Sequence, residues 1–246
     1  MLGRIRKKPR HTQGTTTLFG QPFEFVDSAS FLFIYDELFN KRAYEFRSQS
    51  TEPRIIDGGA NVGLSLVYFK KLYPQSHILA LEADPMIFDV LQANVKSLGL
   101  SNVIVRNQAL WDRNGTVSFA SDHADGGRVE HTAKSITVES VALAELLNGP
   151  VDFLKLDIEG AELRVLKAAR ESLRQVEKVF VEYHSHADQP QELADLLDVL
   201  KQAGFRYYIT SPSMFTKRPL IRRESYGGMD MVLNIYGVRD TNSVHD

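Results

Sequence analysis

A glycine-rich turn carries the first residues whose types and spacing could do chemistry. Residues 57–63 read Asp-Gly-Gly-Ala-Asn-Val-Gly, after a short apolar segment and before an apolar stretch. Glycines let the backbone turn sharply and approach a ligand, and the following helix offers free N–H groups. A dinucleotide-binding turn would read Gly-x-Gly-x-x-Gly, to seat a pyrophosphate. Here Asp57 takes the first position, and its carboxylate would repel a pyrophosphate but attract a sulfonium or ammonium group. The turn therefore favours S-adenosylmethionine (SAM) over NAD.

A second acid, Glu82, ends the next apolar segment, 25 residues after Asp57. In nucleotide-binding folds an acid about 20 residues after the glycine turn holds the ribose diol. Glu82 is therefore a candidate ribose ligand, and a solvated strand end is the alternative. Asp84 directly precedes Pro85, which instead predicts a helix N-cap followed by proline at the first helical position.

Acids and a histidine in the second half of the chain form another candidate group. Asp157 ends the apolar segment 151–157, and Glu182 and His184 end the next one, two positions apart and hence on one face. An acceptor hydroxyl must lose its proton during methyl transfer. Either a general base removes it or a metal ion acidifies the hydroxyl. His184 suits the first role, whereas Asp157 and Glu182 could serve in either, so metal dependence stays open.

Three neighbours of this group have competing structural interpretations. Lys155 lies on a predicted central strand, and an unpaired buried ammonium is expensive, so Lys155 must either pair with a carboxylate, which Glu162 or Glu182 could supply, or reach solvent. Glu162 follows Gly160 at a predicted helix start, where negative charge is favourable, so it fits a cap and an active-site role equally. His186 is expected in a loop.

Alternating strands and helices position both groups. Apolar segments separated by helical stretches predict a doubly wound α/β fold with a mostly parallel sheet. The last two strands, near 205–210 and 231–236, have no clear helix between them and should be antiparallel. Asn114-Gly115 predicts a hairpin, and residues 121–130 a polar loop. We expect an N-terminal tail and aromatic-rich segment over 1–50 and a SAM-binding domain over 51–240.

The chain resembles the FkbM-type family of SAM-dependent methyltransferases. The resemblance rests on residues 55–63, 81–85, 107–110 and 154–162, the last containing Lys-x-Asp-x-Glu-Gly-x-Glu. It implies a class I methyltransferase: a seven-stranded sheet with an antiparallel last strand, carrying out O-methylation. Cofactor contacts are then expected from Asp57, Gly58, Gly59, Ala60, Asn61, Gly63, Glu82, Asn107 and Gln108. The resemblance places the last two near the adenine.

Composition and charge exclude several classes of protein and site. The chain has 246 residues, a net charge of −2 and no cysteine, which excludes disulfides and thiolate metal sites. No apolar run reaches the roughly 18 residues of a membrane-spanning helix, and no apolar segment of the signal-peptide type follows the basic N-terminus. We expect a soluble cytoplasmic protein whose first ten residues form a solvated tail.

The leading hypothesis is O-methylation of a hydroxyl on a carbohydrate or secondary metabolite. An RNA methyltransferase is the enzyme alternative, prompted by the basic N-terminus but weakened by the near-neutral charge. A non-catalytic nucleoside-binding regulator with the same fold is the alternative from another class. The expected partner is a small-molecule or glycan acceptor, with no nucleic acid and no membrane span.

Overall fold

The computed structural model describes residue 5 and residues 10–120, 127–129, 135–212, 216, 218–222 and 224–239. The chain divides into two compact units. Unit 1 comprises residues 1–109 and 115–140, and unit 2 comprises residues 110–114 and 141–246. The boundary expected after residue 50 stays a prediction.

Strands and helices alternate regularly in unit 1 after an N-terminal hairpin. The elements that begin in this unit are β1 (Gly14–Leu18), β2 (Gln21–Phe25), α1 (Ser28–Tyr35), a π-helix (Asp36–Asn40), β3 (Arg54–Gly58), α2 (Leu64–Leu72), β4 (His77–Leu81), α3 (Pro85–Ser97), β5 (Val103–Arg106), β6 (Ala109–Trp111), β7 (Gly115–Ala120), β8 (Arg128–Val129) and β9 (Ile136–Ala142). β3, β4 and β5 pair in parallel, as the alternating pattern predicts. Of the polar loop expected over 121–130, the structure describes only residues 127–129.

The N-terminal segment contacts the rest of unit 1 more closely than expected. Asp27 caps α1 by accepting the N–H of Ser30, and its carboxylate also pairs with Arg10 at 2.9 Å. Ile5 is buried. The expectation of a solvated tail is therefore wrong for Ile5, because burying its apolar side chain is favourable, whereas Arg10 stays exposed while it pairs with Asp27.

Unit 2 continues the alternation. Its elements are α4 (Leu143–Leu146), β10 (Val151–Leu156), α5 (Glu162–Ala168), a 3₁₀-helix (Ser172–Gln175), β11 (Val176–His186), α6 (Leu193–Gln202), β12 (Arg206–Thr210) and β13 (Met229–Val238). β10 and β11 are parallel, and their register pairs Leu156 with Val181. β13 lies between β11 and β12 and is antiparallel to both, which confirms the predicted arrangement of the last two strands.

The main sheet has seven strands in the order β12-β13-β11-β10-β3-β4-β5. This mostly parallel order with an antiparallel terminal strand confirms the predicted class I methyltransferase fold. A second, four-stranded sheet has the order β6-β9-β7-β8. The hairpin predicted at Asn114-Gly115 is wrong, because β9 lies between β6 and β7. The Asn114 side chain instead accepts the N–H of Ala142 at 2.9 Å and donates to Glu145 at 2.9 Å.

Within the described ranges, no helix has both the length and the apolar character required to cross a bilayer.

Candidate active site

The glycine turn of unit 1 is tied to the end of β4 through its backbone. The N–H groups of Gly59 and Ala60 both donate to the carbonyl of Leu81, at 3.0 and 2.9 Å. Asn61 donates its N–H to Glu82 Oε2 at 2.9 Å. These bonds require a left-handed backbone at Gly59 (φ 81°) and at Asn61 (φ 48°), which glycine and asparagine adopt most readily. Because these three N–H groups are already bonded, the turn does not present them to a pyrophosphate.

Glu82 is a fixed, buried acceptor and not a solvated strand end. It is 7% exposed, and its other oxygen, Oε1, accepts the N–H of Asp84 at 2.9 Å. A carboxylate can accept about four hydrogen bonds, which suits it to holding a diol. Asp84 itself accepts the N–H of Met86 at 2.8 Å and caps α3, as predicted.

Asp57 is fully buried at the end of β3. Its Oδ2 accepts the hydroxyl of Ser65, on α2, at 2.5 Å. The carboxylate is therefore held at the turn by a helix that starts directly after it. A buried anion there suits a cationic ligand and opposes an anionic one.

Asn107 and Gln108 follow β5 and have different roles. Asn107 donates its side-chain amide to the carbonyls of Glu82 and Ala83, at 2.9 and 3.1 Å, and so fixes the loop after β4. Gln108 Oε1 is buried and, among the described residues, has no hydrogen-bond partner. A buried amide oxygen without a partner is costly, and a ligand amino group would satisfy it.

Unit 2 brings Asp157, Glu182 and His184 together, as alternation along its strands predicts. Leu156 and Val181 are paired, so Asp157, directly after β10, and Glu182, within β11, lie at the same level. One ligand atom from each of the three side chains lies within 4.8 Å of the other two. Their catalytic role stays a prediction.

His184 lies among carboxylates. Its Nε2 is 3.4 Å from Glu182, 3.6 Å from Glu159 and 4.0 Å from Asp157. Its Nδ1 is 3.2 Å from Glu162 Oε1. The His184 side chain is 3% exposed, so these charges interact with little screening by water.

Glu162 lies beside His184 and also holds the backbone before α5. Both interpretations made from the sequence, a helix-start residue and a member of the cluster, therefore fit its position. Its carboxylate accepts the N–H of Ile158 and of Gly160, each at 3.1 Å, and the residue is 1% exposed. These bonds form across the turn before α5, where Glu159 has a left-handed backbone (φ 55°). A non-glycine residue in this region is strained, and such strain concentrates at functional sites.

Burial and charge shift the pKa values of this cluster. Burial lowers the pKa of His184, but Glu159, Glu162 and Glu182 outweigh it, so the pKa lies well above its ordinary value. Burial raises the pKa of Asp157, although Lys155 acts against the rise. Burial likewise raises the pKa of Glu159 well above its ordinary value, against the effect of His184. Asp157 and Glu159 therefore hold protons at higher pH than usual, and His184 is protonated more readily.

Lys155 pairs with the carboxylate nearest along its own strand. Its Nζ lies 3.4 Å from Asp157 Oδ2, and the side chain is 3% exposed. Of the two outcomes predicted for Lys155, a carboxylate partner is the one observed. Asp157 was not named from the sequence as that partner, but residues two apart on a strand share a face.

Two features were missed from the sequence. Glu159 belongs to the cluster, although its place before a helix suggested only a favourable charge at the helix start. The Asp-x-Glu-Gly-x-Glu spacing was the available signal, since it places three acids around one turn. His186 was expected in a loop, but it is the last residue of β11 and is buried.

Comparison with known proteins identifies the family to which this chain belongs. Residues 57–207 match the family model described as the methyltransferase FkbM domain, which is more than half of the chain. The matched range begins at Asp57 and includes both acidic groups described above.

Individual relatives agree with this match. Methyltransferase sdnD of Sordaria araneosa is 30% identical over 183 residues, covering 56% of this chain and 69% of the relative. Hexuronic acid methyltransferase AglP of Haloferax volcanii is 30% identical over 151 residues, covering 59% of this chain and 61% of the relative. The crystal structure of methyltransferase FkbM from Methylobacillus flagellatus superposes with a TM-score of 0.54 at 18% identity. That alignment covers 82% of this chain but only 47% of the other, so it shows a shared fold.

Proposed function

The chain belongs to the FkbM methyltransferase family, and we propose that it methylates a hydroxyl oxygen of a carbohydrate or secondary metabolite, using SAM. The observation that carries the proposal is the cluster formed by Asp157, directly after β10, and by Glu182 and His184 within β11. Binding a nucleoside needs no such group, whereas histidine and carboxylates are the side chains that most often act as general base for a hydroxyl proton. The cluster therefore favours an enzyme over a non-catalytic nucleoside-binding regulator.

We assign cofactor binding to unit 1. Glu82 is held by two backbone N–H groups and suits a ribose diol, while buried Asp57 suits a cationic group. The unsatisfied Gln108 Oε1 suits the amino group of an adenine. Bound SAM would supply a methyl group on a sulfonium, whose sulfur keeps the electron pair of the broken bond. These donors and acceptors fit SAM and do not fit the pyrophosphate of a dinucleotide.

We assign acceptor activation to unit 2. A hydroxyl attacks a methyl carbon efficiently only when its proton is removed as the new C–O bond forms. Asp157 and Glu182 are partly exposed, at 23% and 19%, whereas His184 beside them is 3% exposed. The two carboxylates are thus reachable by an acceptor, and the raised pKa of Asp157 brings it closer to the pH at which a base is effective.

The acceptor class follows from chemistry and from the relatives. The described acids around His184 would oppose the approach of a polyanion such as RNA, but they can accept hydrogen bonds from the hydroxyls of a sugar. One relative is named as a hexuronic acid methyltransferase. A neutral or weakly charged polyhydroxylated acceptor therefore fits the cluster best.

A label-transfer assay tests the proposal. The full chain is incubated with methyl-labelled SAM and separate panels of monosaccharides, oligosaccharides, polyketide-type alcohols and transfer RNA. We expect S-adenosylhomocysteine and an alkali-stable methyl ether from a hydroxylated small molecule. Asp157→Asn serves as the inactive control. Methylated RNA alone would overturn the acceptor assignment, and tight SAM binding without turnover on any panel would favour the regulator.

A further inference from the structure

The two ring nitrogens of His184 have different surroundings. Nδ1 lies 3.2 Å from Glu162 Oε1, and that carboxylate also accepts the backbone N–H groups of Ile158 and Gly160. This carboxylate is already fixed by backbone donors, so it is positioned to accept the Nδ1–H of His184. Nε2 is thereby left facing the remaining acids.

The spacing around His184 Nε2 is wider than a short charge-assisted hydrogen bond. Its distances to Glu182, Glu159 and Asp157 are 3.4, 3.6 and 4.0 Å, whereas a charge-assisted N–H···O bond is about 2.7–2.9 Å long. Ligands held about 2.1 Å from one octahedral ion are separated by about 3.0 Å when adjacent and about 4.2 Å when opposite. The separations of Nε2 from the two proposed carboxylate ligands, Glu182 and Asp157, lie between these two values.

The charges around the site also leave room for a cation. Four acids surround His184, namely Asp157, Glu159, Glu162 and Glu182. Lys155 lies at Oδ2 of Asp157, whereas it is Oδ1 that faces His184. The described cluster thus places two basic side chains, Lys155 and His184, against four acids. A divalent ion on Oδ1 would reduce this excess without displacing Lys155.

We propose that Asp157, Glu182 and His184 bind one divalent cation of the Mg²⁺/Mn²⁺ class. Carboxylate oxygens are the ligands these ions prefer, and a single neutral imidazole can complete such a set. Glu162 acts as a positioning residue: it holds the Nδ1 proton and so turns Nε2 toward the ion. Metal-bound histidines usually have such a carboxylate partner.

The role of the ion, though not its binding, rests on the proposed function. An acceptor hydroxyl bound to the ion becomes more acidic. With Asp157 held as a ligand of the ion, the hydroxyl proton would pass instead to Glu159, which faces His184 Nε2 and lies outside the proposed ligand set. The oxygen then forms its bond to the methyl carbon as the sulfur–methyl bond breaks, and the sulfur retains that electron pair. No oxidant or reductant is required.

Metal binding is measured without any methyl acceptor. The full chain is stripped with EDTA, desalted and titrated with Mn²⁺, and free Mn²⁺ is followed by its electron paramagnetic resonance signal. We expect one bound ion per chain, displaced by excess Mg²⁺. Asp157→Asn, Glu182→Gln and His184→Gln should each weaken binding by tenfold or more, while Glu171→Gln, an exposed acid in the same unit, should not.

Glu162→Gln separates positioning from ligation. It should weaken Mn²⁺ binding less than His184→Gln and change the imidazole nitrogen couplings seen by pulsed resonance methods. Circular dichroism and SAM affinity show that each variant is folded.

Absence of Mn²⁺ binding to the folded wild-type chain overturns the proposal, and so does binding that the three ligand variants leave unchanged. Methyl transfer that persists in EDTA would remove the ion from catalysis but leave the proposed methyltransferase function standing. Bound Mn²⁺ without methyl transfer would leave the proposed metal site standing and contradict the proposed methyltransferase function.

Discussion

Two acidic regions of this protein are built in opposite ways. In unit 1, Glu82 and Asp57 receive hydrogen bonds from neutral donors, the backbone N–H groups of Asn61 and Asp84 and the hydroxyl of Ser65. In unit 2, the acids around His184 face one another and two cationic side chains. Neutral donors fix a carboxylate without changing its charge, whereas crowded acids shift one another's proton affinity.

The contrast indicates a division of labour. A region whose acids are satisfied by the backbone is preorganised to bind, because ligand binding requires little rearrangement. A region whose acids compete for protons is suited to move a proton or hold an ion. Substitutions in the two regions should therefore affect different measurements.

The largest effect is expected from the cluster in unit 2. Asp157→Asn and His184→Ala should each lower turnover by about 100-fold or more, the scale of lost acid–base or metal assistance. SAM affinity should stay near that of the wild type, because unit 1 holds the cofactor. Steady-state kinetics measures the loss of turnover, and calorimetry measures the SAM affinity. Normal turnover in either variant would assign that residue to structure alone.

The next effect concerns cofactor binding. Glu82→Ala should weaken SAM binding by about 1–3 kcal/mol, because it removes an acceptor of charge-assisted hydrogen bonds. Turnover at saturating SAM should fall much less than in the His184 variant. The measurement is a SAM titration by calorimetry, with NAD as a ligand expected not to bind. An unchanged SAM affinity would contradict the role of Glu82, and NAD binding would contradict that of Asp57.

The pH dependence of stability should reveal the crowded region in metal-free protein. The raised pKa of His184 contributes stability that is complete below its ordinary value of 6.5 and is lost as pH rises through the folded value. The raised pKa values of Asp157 and Glu159 act with the same sign, favouring the folded state at lower pH. We expect the free energy of unfolding in EDTA to fall as pH rises above 6.5. Denaturant titrations should show a weaker fall in His184→Gln, while Glu171→Gln keeps the wild-type slope.

The smallest effect is expected for Asp84, an acid beside the cofactor region whose side chain caps a helix. Asp84→Ala should cost about 1 kcal/mol of stability, because Met86 loses its capping acceptor. SAM affinity should change less than in Glu82→Ala, two residues away. Thermal unfolding and calorimetry of the two variants side by side give the comparison. Equal losses of SAM affinity would mean that the whole loop, and not Glu82, determines binding.

Much of this architecture follows from local sequence patterns. The glycine turn, the cap at Asp84 and the strands ending at Asp57 and Asp157 were all predictable, because each depends on neighbours within a few residues. The alternation along β11 also places Glu182 and His184 on one face. The hairpin predicted at Asn114-Gly115 is wrong because the pairing there depends on a distant part of the chain. The strand β9 lies between β6 and β7, so these two strands do not pair with each other.

By itself, the sequence determined the parallel α/β order and the residue types at each strand end, because hydrophobic periodicity and strand alternation are local properties. Tertiary structure decided that Glu159 and Glu162 meet His184, that Lys155 pairs with Asp157 and that Ile5 is buried. These contacts depend on the packing of the turn before α5 against β11 and on the side chains that packing excludes from water. Spacing along the chain does not show how strongly water is excluded from a side chain. That exclusion determines the charge states on which the chemistry of this cluster depends.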